Sequence, residues 1–289
     1  MTLIAFLLAL LLAEAVLRFY FPPLLGFQIE RDSRLGLVPK PHAIGKVISP
    51  WLYSYRFSHD SSGLRSTEGK EKNRLLMLGD SMVYGVGVND EETFSSMLGA
   101  DNAGAPGRGP DYYLGFIENR LPLLRPNKVW IFFTAYNDWL DSYRASHHED
   151  ILFFDSSRLL VLSEKTFRFA WGRIRQYQAS NASLPNPGDE LYQAGKSYLC
   201  KINEALSMKE IDHKFFFLPG PEEMKIFRRG EKPGTWTAFE RAAQECDFKP
   251  EGLASVFMDG ELSEYFNLRD FHLTARGNAL IAKALEAQK

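Results

Sequence analysis

Short apolar runs alternate with longer amphipathic segments from residue 73 to the end of the chain. The runs are apolar at nearly every position, which is typical of strands that are buried on both faces of a parallel sheet. Four runs have this character: "RLLML" at 74–78, "VWIFFT" at 129–134, "KFFFL" at 214–218 and "SVFM" at 255–258. A further short strand is expected near residues 98–102.

The segments between these runs carry apolar residues three or four positions apart, the spacing of a helix that packs on a sheet. Five helices are predicted, at 90–98, 110–124, 189–210, 235–245 and 275–287. Thr274 is the expected N-cap of the last one. Alternating strands and helices predict an α/β fold, with a central parallel sheet covered by helices, over residues 73–289.

Two regions do not follow this alternation. Residues 22–72 carry repeated Pro and Gly without a sustained period, so we expect an irregular lead-in. Residues 139–188 mix aromatic, basic and turn-forming residues and are interpreted as an insertion after the third strand, where the strands' carboxyl ends would border a ligand site. The insertion's aromatic residues either line such a site or belong to the core. They are Trp139, Phe153, Phe154, Phe167 and Trp171.

The first 21 residues are expected to meet a membrane. Residues 3–13 form an unbroken apolar run, which predicts a short uncleaved anchor. A cleaved signal peptide is the alternative, because "AEA" at 13–15 resembles a small-residue cleavage site. Arg18, Arg31 and Arg34 follow the run and no basic residue precedes it, which is opposite to the positive-inside pattern of an exported domain.

Charge and cysteine content exclude several classes of function. The 34 Lys and Arg residues nearly balance the 36 Asp and Glu residues, so no nucleic-acid partner is expected. Cys200 and Cys246 are the two cysteines, and neither has a companion at metal-ligand spacing. No metal or other cofactor is predicted. The two cysteines either form one disulfide or remain free thiols.

Ser81 is the candidate nucleophile, because it follows a predicted buried strand and precedes a helix. The same position suits a helix cap, and "GDSMV" is not the G-x-S-x-G elbow of α/β-hydrolases. Asp270 and His272 precede the final helix and offer an orienting acid and a base. Asp270 reaches the imidazole only if the backbone between the two residues turns.

Two stretches offer donors for an oxyanion. "NAGAPGRG" at 102–109 is a glycine-rich turn, in which Gly107 is the preferred N–H donor. "FFTAYNDW" ends a predicted strand and places the Asn137 amide near the end of the first strand. Taken alone, Asn137 and Asp138 are more typical of a helix cap or a turn than of an oxyanion donor.

Four short stretches of the chain resemble the sequence blocks of the SGNH, or GDSL-type, hydrolase family and occur in the family's order. They are "GDS", "NAGAPG", "AYND" and "DFH". The resemblance extends over residues 63–289. The lead-in also resembles that of bacterial members with an N-terminal membrane anchor, in "RDSRLGLVPKP" and in "GLR" at 63–65. This resemblance favours a location of the domain in the periplasm or on the cell surface. The resemblance implies a three-layer flavodoxin-like fold. It also implies a Ser81, His272 and Asp270 triad, with an oxyanion hole formed by the Ser81 and Gly107 N–H groups and the Asn137 side chain.

Members of this family hydrolyse or transfer acyl groups on lipids, simple esters or acetylated sugars without a metal. The implied activity is a serine esterase, with an O-acyltransferase acting on a cell-envelope polysaccharide, or a non-catalytic glycan-binding protein, as alternatives. The chain departs from the family pattern at two positions. Ala135 stands where a Gly is usual, and Arg269 precedes an Asp-x-His block that is often Asp-x-x-His.

Overall fold

The buried apolar runs form a five-stranded parallel sheet. The computed structural model describes residues 9–16, 28–49, 53–65, 75–146 and 187–289. Two hairpins come first, β1 (Ile29–Asp32) with β2 (Gly36–Pro39) and β3 (Ile44–Ser49) with β4 (Tyr53–Ser58). The sheet follows with β5 (Leu75–Gly79), β6 (Asp101–Gly104), β7 (Lys128–Thr134), β8 (Asp212–Leu218) and β9 (Pro250–Gly252).

The strand order in the sheet is β6-β5-β7-β8-β9, and each neighbouring pair is parallel. Numbered from its first strand, the sheet has the flavodoxin-like order 2-1-3-4-5. The predicted α/β class and flavodoxin-like order are confirmed.

Helices cover both faces of the sheet. The described residues contain α1 (residues 9–16), which is mostly exposed, followed by α2 (Ser81–Tyr84), α3 (Phe94–Met97), α4 (Pro110–Asn119), α5 (Leu121–Leu124), α6 (Ala135–Ser146), α7 (Asp189–Ser207), α8 (Pro221–Phe227), α9 (Gly234–Glu245), α10 (Leu262–Tyr265) and α11 (Ala275–Glu286). Two 3₁₀ helices lie at Asp90–Glu92 and Ala254–Phe257. Thr274 caps α11 as predicted, since its hydroxyl accepts the Gly277 N–H at 3.1 Å.

Alternate side chains of the strands belong to two separate cores. Leu76 and Leu78 of β5 pack with residues of α4, α6, α7 and α9 on one face. Leu75 and Met77 pack with residues of α3 and α11 on the other. This alternation places a helical layer on each side of the sheet, which confirms the three-layer arrangement.

The predicted strand at 255–258 is wrong. Its residues form or follow the 3₁₀ helix Ala254–Phe257, and only Phe257 is fully buried. The fifth strand is Pro250–Gly252, which pairs with Phe215–Phe217 of β8. A three-residue edge strand is held by backbone hydrogen bonds rather than by buried side chains. Its sequence "PEG" therefore needs no apolar pattern, and none is present from which the strand could be predicted.

The lead-in at 22–72 is not irregular where the structure describes it, because it contains the two hairpins. Tyr55 and Phe57 of β4 are each 1% exposed. They pack against Tyr84 and Val86, which follow Ser81 in the chain. The lead-in is therefore packed against the segment that carries the candidate nucleophile.

The predicted insertion at 139–188 begins as regular structure. Residues 139–146 belong to α6, and Trp139 is a fully buried core residue. Residues 147–186 lie outside the described residues, with Phe153, Phe154, Phe167 and Trp171 among them.

The predicted N-terminal anchor at 1–21 is described only at residues 9–16, which are helical. Within the described ranges, no helix has both the length and the apolar character needed to cross a membrane.

Cys200 and Cys246 form a disulfide. Cys200 lies in α7, and Cys246 directly follows α9. The bond joins two helices of the same layer and settles the choice between paired and free thiols.

Candidate active site

Ser81 lies at the carboxyl end of β5, beside the point where the strand order reverses. The chain leaves β5 toward β6 on one side and later returns to β7 on the other. Such a reversal opens a crevice in which ligands bind in α/β sheets. Ser81 is the first residue of α2, and the cap of that helix is Asp80, whose carboxylate accepts the Met82 N–H at 2.8 Å. The Ser81 hydroxyl is therefore not needed as a cap.

Ser81, His272 and Asp270 form a continuous hydrogen-bonded row. The Ser81 Oγ lies 3.0 Å from His272 Nε2, and His272 Nδ1 lies 3.0 Å from Asp270 Oδ2. When the proton of the neutral imidazole is on Nδ1, the ring donates to Asp270, and Nε2 accepts from the serine hydroxyl. The side chains of His272 and Asp270 are 20% and 16% exposed, so the row is partly accessible from solvent.

A backbone turn at Phe271 brings Asp270 and His272 together. Phe271 has φ +69°, a left-handed conformation that a bulky residue rarely adopts. Its N–H donates to the Asn267 carbonyl at 2.6 Å, and the Asn267 N–H donates to the His272 carbonyl at 2.8 Å. The loop thus supplies the turn that an Asp and a His two positions apart require.

Asp80 connects the ends of β5 and β7. Its carboxylate accepts from the Thr134 hydroxyl and from Asn137 Nδ2, each at 2.9 Å. Burial raises the pKa of Asp80, and the hydrogen bonds from Met82, Asn137 and Thr134 oppose that rise. Asn137 lies in the first turn of α6 and is exposed, and Asp80 accepts from one of the two N–H groups of its amide, which leaves the second N–H for another acceptor.

Gly107 lies in the loop that follows β6, at the same edge of the sheet as Ser81. The start of this loop is fixed to the end of β5, because the Ala105 N–H donates to the Gly79 carbonyl at 3.0 Å. Gly107 has φ +71°, which favours glycine. Among the described residues, neither the Gly107 N–H nor the Ser81 N–H has a protein acceptor. Both remain available to a bound oxygen.

Asn102 and Gly104 fix α2 against β6. The Asn102 amide donates to the Val83 carbonyl at 2.8 Å and to the Ser95 hydroxyl at 2.7 Å. A Cβ at Gly104 would overlap the Tyr84 backbone nitrogen, so only glycine allows this close approach. These two residues belong to the "NAGAPG" stretch, in which Gly107 was the one residue predicted from the sequence as an oxyanion donor.

Ala135 has φ +23° at the junction of β7 and α6. A positive φ favours glycine, and Ala135 is the position at which the sequence resemblance would place one. The methyl group of Ala135 is 3% exposed and packs in the core. The junction therefore accepts alanine at the expense of backbone strain.

Two carboxyl groups of α6, one buried and one largely buried, lie near Asp80. Asp138 accepts from the Tyr113 hydroxyl at 3.1 Å and from the Thr134 N–H at 2.8 Å. Burial, together with the charge of Asp80, raises the pKa of Asp138 well above its usual range. Burial and the charge of Asp80 also raise the pKa of Asp141 to about 6, against the opposing effect of Arg144. Asp138 is thus a buried structural acid of the β7–α6 junction.

Arg65, from the "GLR" stretch, joins the lead-in to the turn that follows α2. Its guanidinium donates to the carbonyls of Tyr84 at 2.8 Å, Gly85 at 2.6 Å and Val88 at 2.6 Å. It also pairs with Asp90, with Nε 2.7 Å from Oδ1, and its side chain is 1% exposed. One buried arginine therefore fixes the backbone immediately after the candidate nucleophile.

An open groove of about 570 Å³ borders His272 on one side. Its walls come from β4, residues 86–92 and residues 263–275, and they include Tyr53, Glu92 and Arg269. The Tyr53 ring meets the His272 ring edge-on, with 6.4 Å between the ring centroids. Tyr53 is not among the residues predicted from the sequence, although the period-two alternation of "YSYRFS" at 53–58 is a strand signal.

The arrangement has the parts that acyl transfer requires. A hydroxyl contacts a base, the base contacts an orienting carboxylate, and N–H donors lie at the same sheet edge. The structure places Ser81 and Asp270 against opposite nitrogens of His272, and it connects Asn137 to Ser81's neighbour Asp80.

No family model matches the sequence, and no curated protein matches it either. Solved structures with a similar fold include a protein described as a lipolytic member of the G-D-S-L family from Desulfitobacterium hafniense DCB-2. It has a TM-score of 0.47 and 13% identity over 75% of this chain and 99% of that one.

Two further similar structures are named as esterases. One is the psychrotrophic esterase EstA from Pseudoalteromonas sp., with a TM-score of 0.45 and 12% identity over 75% of this chain and 95% of that one. The other is the acetyl xylan esterase AlAXEase, with a TM-score of 0.44 and 15% identity over 74% of this chain and 98% of that one. At TM-scores below 0.5 and identities of 12–15%, these similarities establish neither a family nor an activity for this chain.

Proposed function

We propose that this protein is a serine esterase of the SGNH type, which cleaves an ester-linked acyl group with Ser81 as nucleophile, His272 as base and Asp270 as the group that orients the base. One observation carries the proposal. The Ser81 Oγ and Asp270 Oδ2 each lie 3.0 Å from opposite nitrogens of the same imidazole.

The proposed reaction has two halves. In the first, His272 Nε2 removes the Ser81 proton as Oγ attacks the ester carbonyl, and the imidazolium then gives this proton to the departing alcohol oxygen. The products are a Ser81 acyl ester and a free alcohol. In the second half, His272 deprotonates a water molecule that attacks the acyl ester and returns the proton to Ser81. The free acid is released.

The Ser81 and Gly107 N–H groups and the second N–H of the Asn137 amide are the proposed donors to the tetrahedral oxyanion. Asp80 supports this role by holding Asn137 through the other N–H at 2.9 Å. Removal of one oxyanion donor costs on the order of a hundredfold to a thousandfold in kcat.

The test is covalent labelling of the full chain with a fluorophosphonate, together with turnover of p-nitrophenyl acetate. We expect labelling at Ser81, and Ser81→Ala should abolish labelling and lower kcat by at least about a thousandfold. Ser207→Ala is the matched control, because Ser207 is exposed at the end of α7. A folded wild-type protein that is neither labelled nor active would refute the proposal.

A transferase is the second candidate, and the groove beside His272 favours it. A bound sugar hydroxyl could replace water in the second half of the reaction, because His272 Nε2 would deprotonate either one. In that case a soluble polysaccharide should raise the rate of p-nitrophenol release and become acylated. Release of free acid alone, at an unchanged rate, identifies the esterase.

We further propose that residues 1–21 anchor the protein and that residues 73–289 act outside the cytoplasm. The apolar run at 3–13 and the Cys200–Cys246 disulfide support this, since stable disulfides are typical of oxidising compartments. External protease added to intact cells or spheroplasts should degrade the domain, and degradation only after lysis would contradict the proposal.

A further inference from the structure

We infer that the groove beside His272 binds the alcohol portion of the ester and that this alcohol is a carbohydrate. The inference rests on the proposed esterase function and deepens it, because it names the substrate class and the wall that recognises it.

Proton transfer fixes the side on which the alcohol must lie. The Nε2 atom that takes the Ser81 proton must also give it to the departing oxygen, so this oxygen lies within hydrogen-bond reach of Nε2. The oxyanion donors lie elsewhere, at the ends of β5 to β7. The groove is lined by His272 itself and by elements outside the sheet. The acyl oxygen and the alcohol therefore face different walls.

The size and chemistry of the groove fit a sugar. A volume of about 570 Å³ lies within the range of small-molecule sites. Its apolar lining, Val86, Val88, Phe266 and Leu273, is interrupted by polar residues. Glu92, Asn267 and Arg269 supply a carboxylate, an amide and a guanidinium. Glu92 Oε2 and Asn267 Oδ1 already accept the backbone N–H groups of Asn89 and Arg269. A long alkyl chain would remove polar atoms of this wall from water without hydrogen-bonding to them, whereas the hydroxyl groups of a sugar can hydrogen-bond to them.

Tyr53 is the residue that we expect to determine specificity. Its ring packs over Gly87, where an added Cβ would lie 3.3 Å from the ring. It also contacts Tyr55, with 5.6 Å between ring centroids. The ring is thus held in place at the groove wall beside His272, where the C–H face of a sugar can pack on it.

The test compares two esters that share the acetyl group but differ in the alcohol. The substrates are a mono-O-acetylated methyl glucoside and ethyl acetate, and the proteins are the wild type, Tyr53→Ala and Tyr53→Phe. We expect Tyr53→Ala to lower the ratio of kcat/KM for the sugar ester to kcat/KM for ethyl acetate at least tenfold. Tyr53→Phe retains the ring and should stay within threefold of the wild-type ratio. An unchanged ratio in Tyr53→Ala would overturn the inference.

A second measurement needs no variant and so does not depend on folding of Tyr53→Ala. Methyl glucoside should inhibit wild-type hydrolysis of ethyl acetate competitively, and 1-octanol at equal concentration should not. Inhibition by 1-octanol alone would show that the groove binds an alkyl chain. A wild-type protein that reacts with fluorophosphonate and hydrolyses ethyl acetate, but fails both comparisons, refutes the groove assignment only. One that fails to react at all refutes the esterase proposal as well.

Discussion

Phe271 holds a left-handed backbone conformation so that Asp270 and His272 can meet. For a residue other than glycine this conformation costs about 1–2 kcal/mol, and it is least tolerated by β-branched side chains. The Phe271 side chain is 39% exposed, so its substitution removes few core contacts.

We therefore predict that Phe271→Val lowers kcat for p-nitrophenyl acetate at least tenfold below Phe271→Ala, with little change in KM. Phe271→Gly, which accepts the conformation freely, should resemble Phe271→Ala. Equal kcat values in the Val and Ala variants would show that the turn does not control the Asp270–His272 contact.

Asp141 makes the stability of the fold depend on pH. Its pKa is raised to about 6, so the folded state binds the proton more tightly than the unfolded state does. The resulting stabilisation is full below pH about 4 and is lost as the pH rises to about 6. A rise of about 2 pKa units corresponds to about 3 kcal/mol at most.

Asp141→Asn removes this dependence. The variant should be about 1–3 kcal/mol more stable than the wild type at pH 7.5 and nearly equal to it at pH 3.5, as measured by urea unfolding. A difference of the same size at both pH values would mean that Asp141 does not titrate between them.

The sequence predicts some residues of the candidate active site and not others. Ser81, Asp270 and His272 were predicted because their residue types and order indicate a nucleophile and its base. Asp80 and Tyr53 were not, because their roles depend on neighbours that are distant in the chain. Asp80 meets Asn137, 57 positions away, and Tyr53 meets His272 across the fold.

Among the elements, the strands with continuous apolar sequence were predicted almost to the residue. Buried strands must be apolar on both faces, so the continuous apolar runs of β5, β7 and β8 predict them directly. The edge strand β9 is defined by backbone pairing alone. The 3₁₀ helix Ala254–Phe257 buries one large side chain, and the apolar run "SVFM" resembles a buried strand for that reason. The hairpins of the lead-in are short and half polar, which weakens their signal.

Arg65 shows what the lead-in contributes to the sheet domain. It satisfies three carbonyls of the turn after α2 and one carboxylate, and its side chain is buried. Lysine cannot reproduce this fork of donors. Arg65→Lys should therefore lower the free energy of unfolding by about 3 kcal/mol, because buried acceptors lose their partners.

The same variant should also slow fluorophosphonate labelling of Ser81, since the end of α2 is released. Arg229→Met is the control, because the Arg229 side chain is 56% exposed in its pair with Glu231 and should matter by less than about 0.5 kcal/mol. Equal effects of the two variants in urea unfolding would contradict a bracing role for Arg65.

At the scale of the whole molecule, the disulfide closes a long loop across one helical layer. Cys200 and Cys246 are 46 positions apart, and the loss of chain entropy in the unfolded state corresponds to about 4 kcal/mol. The double variant Cys200→Ser with Cys246→Ser should lose stability on this order in urea unfolding. Dithiothreitol should destabilise the wild type and leave the double variant unaffected. A wild type that is indifferent to reductant would contradict the bond.

The groove and the hydrogen-bonded row at Ser81 are encoded in separate stretches of the chain. Tyr53 comes from a hairpin that precedes the sheet, whereas the contacts of Ser81 and His272 are set by β5 and by the loop before α11. Position 53 is only partly buried, whereas Tyr55 and Phe57 of the same strand hold the core beside Ser81. Substitutions confined to position 53 are therefore a direct route to new substrate preference, since they alter the wall of the groove and leave that core unchanged.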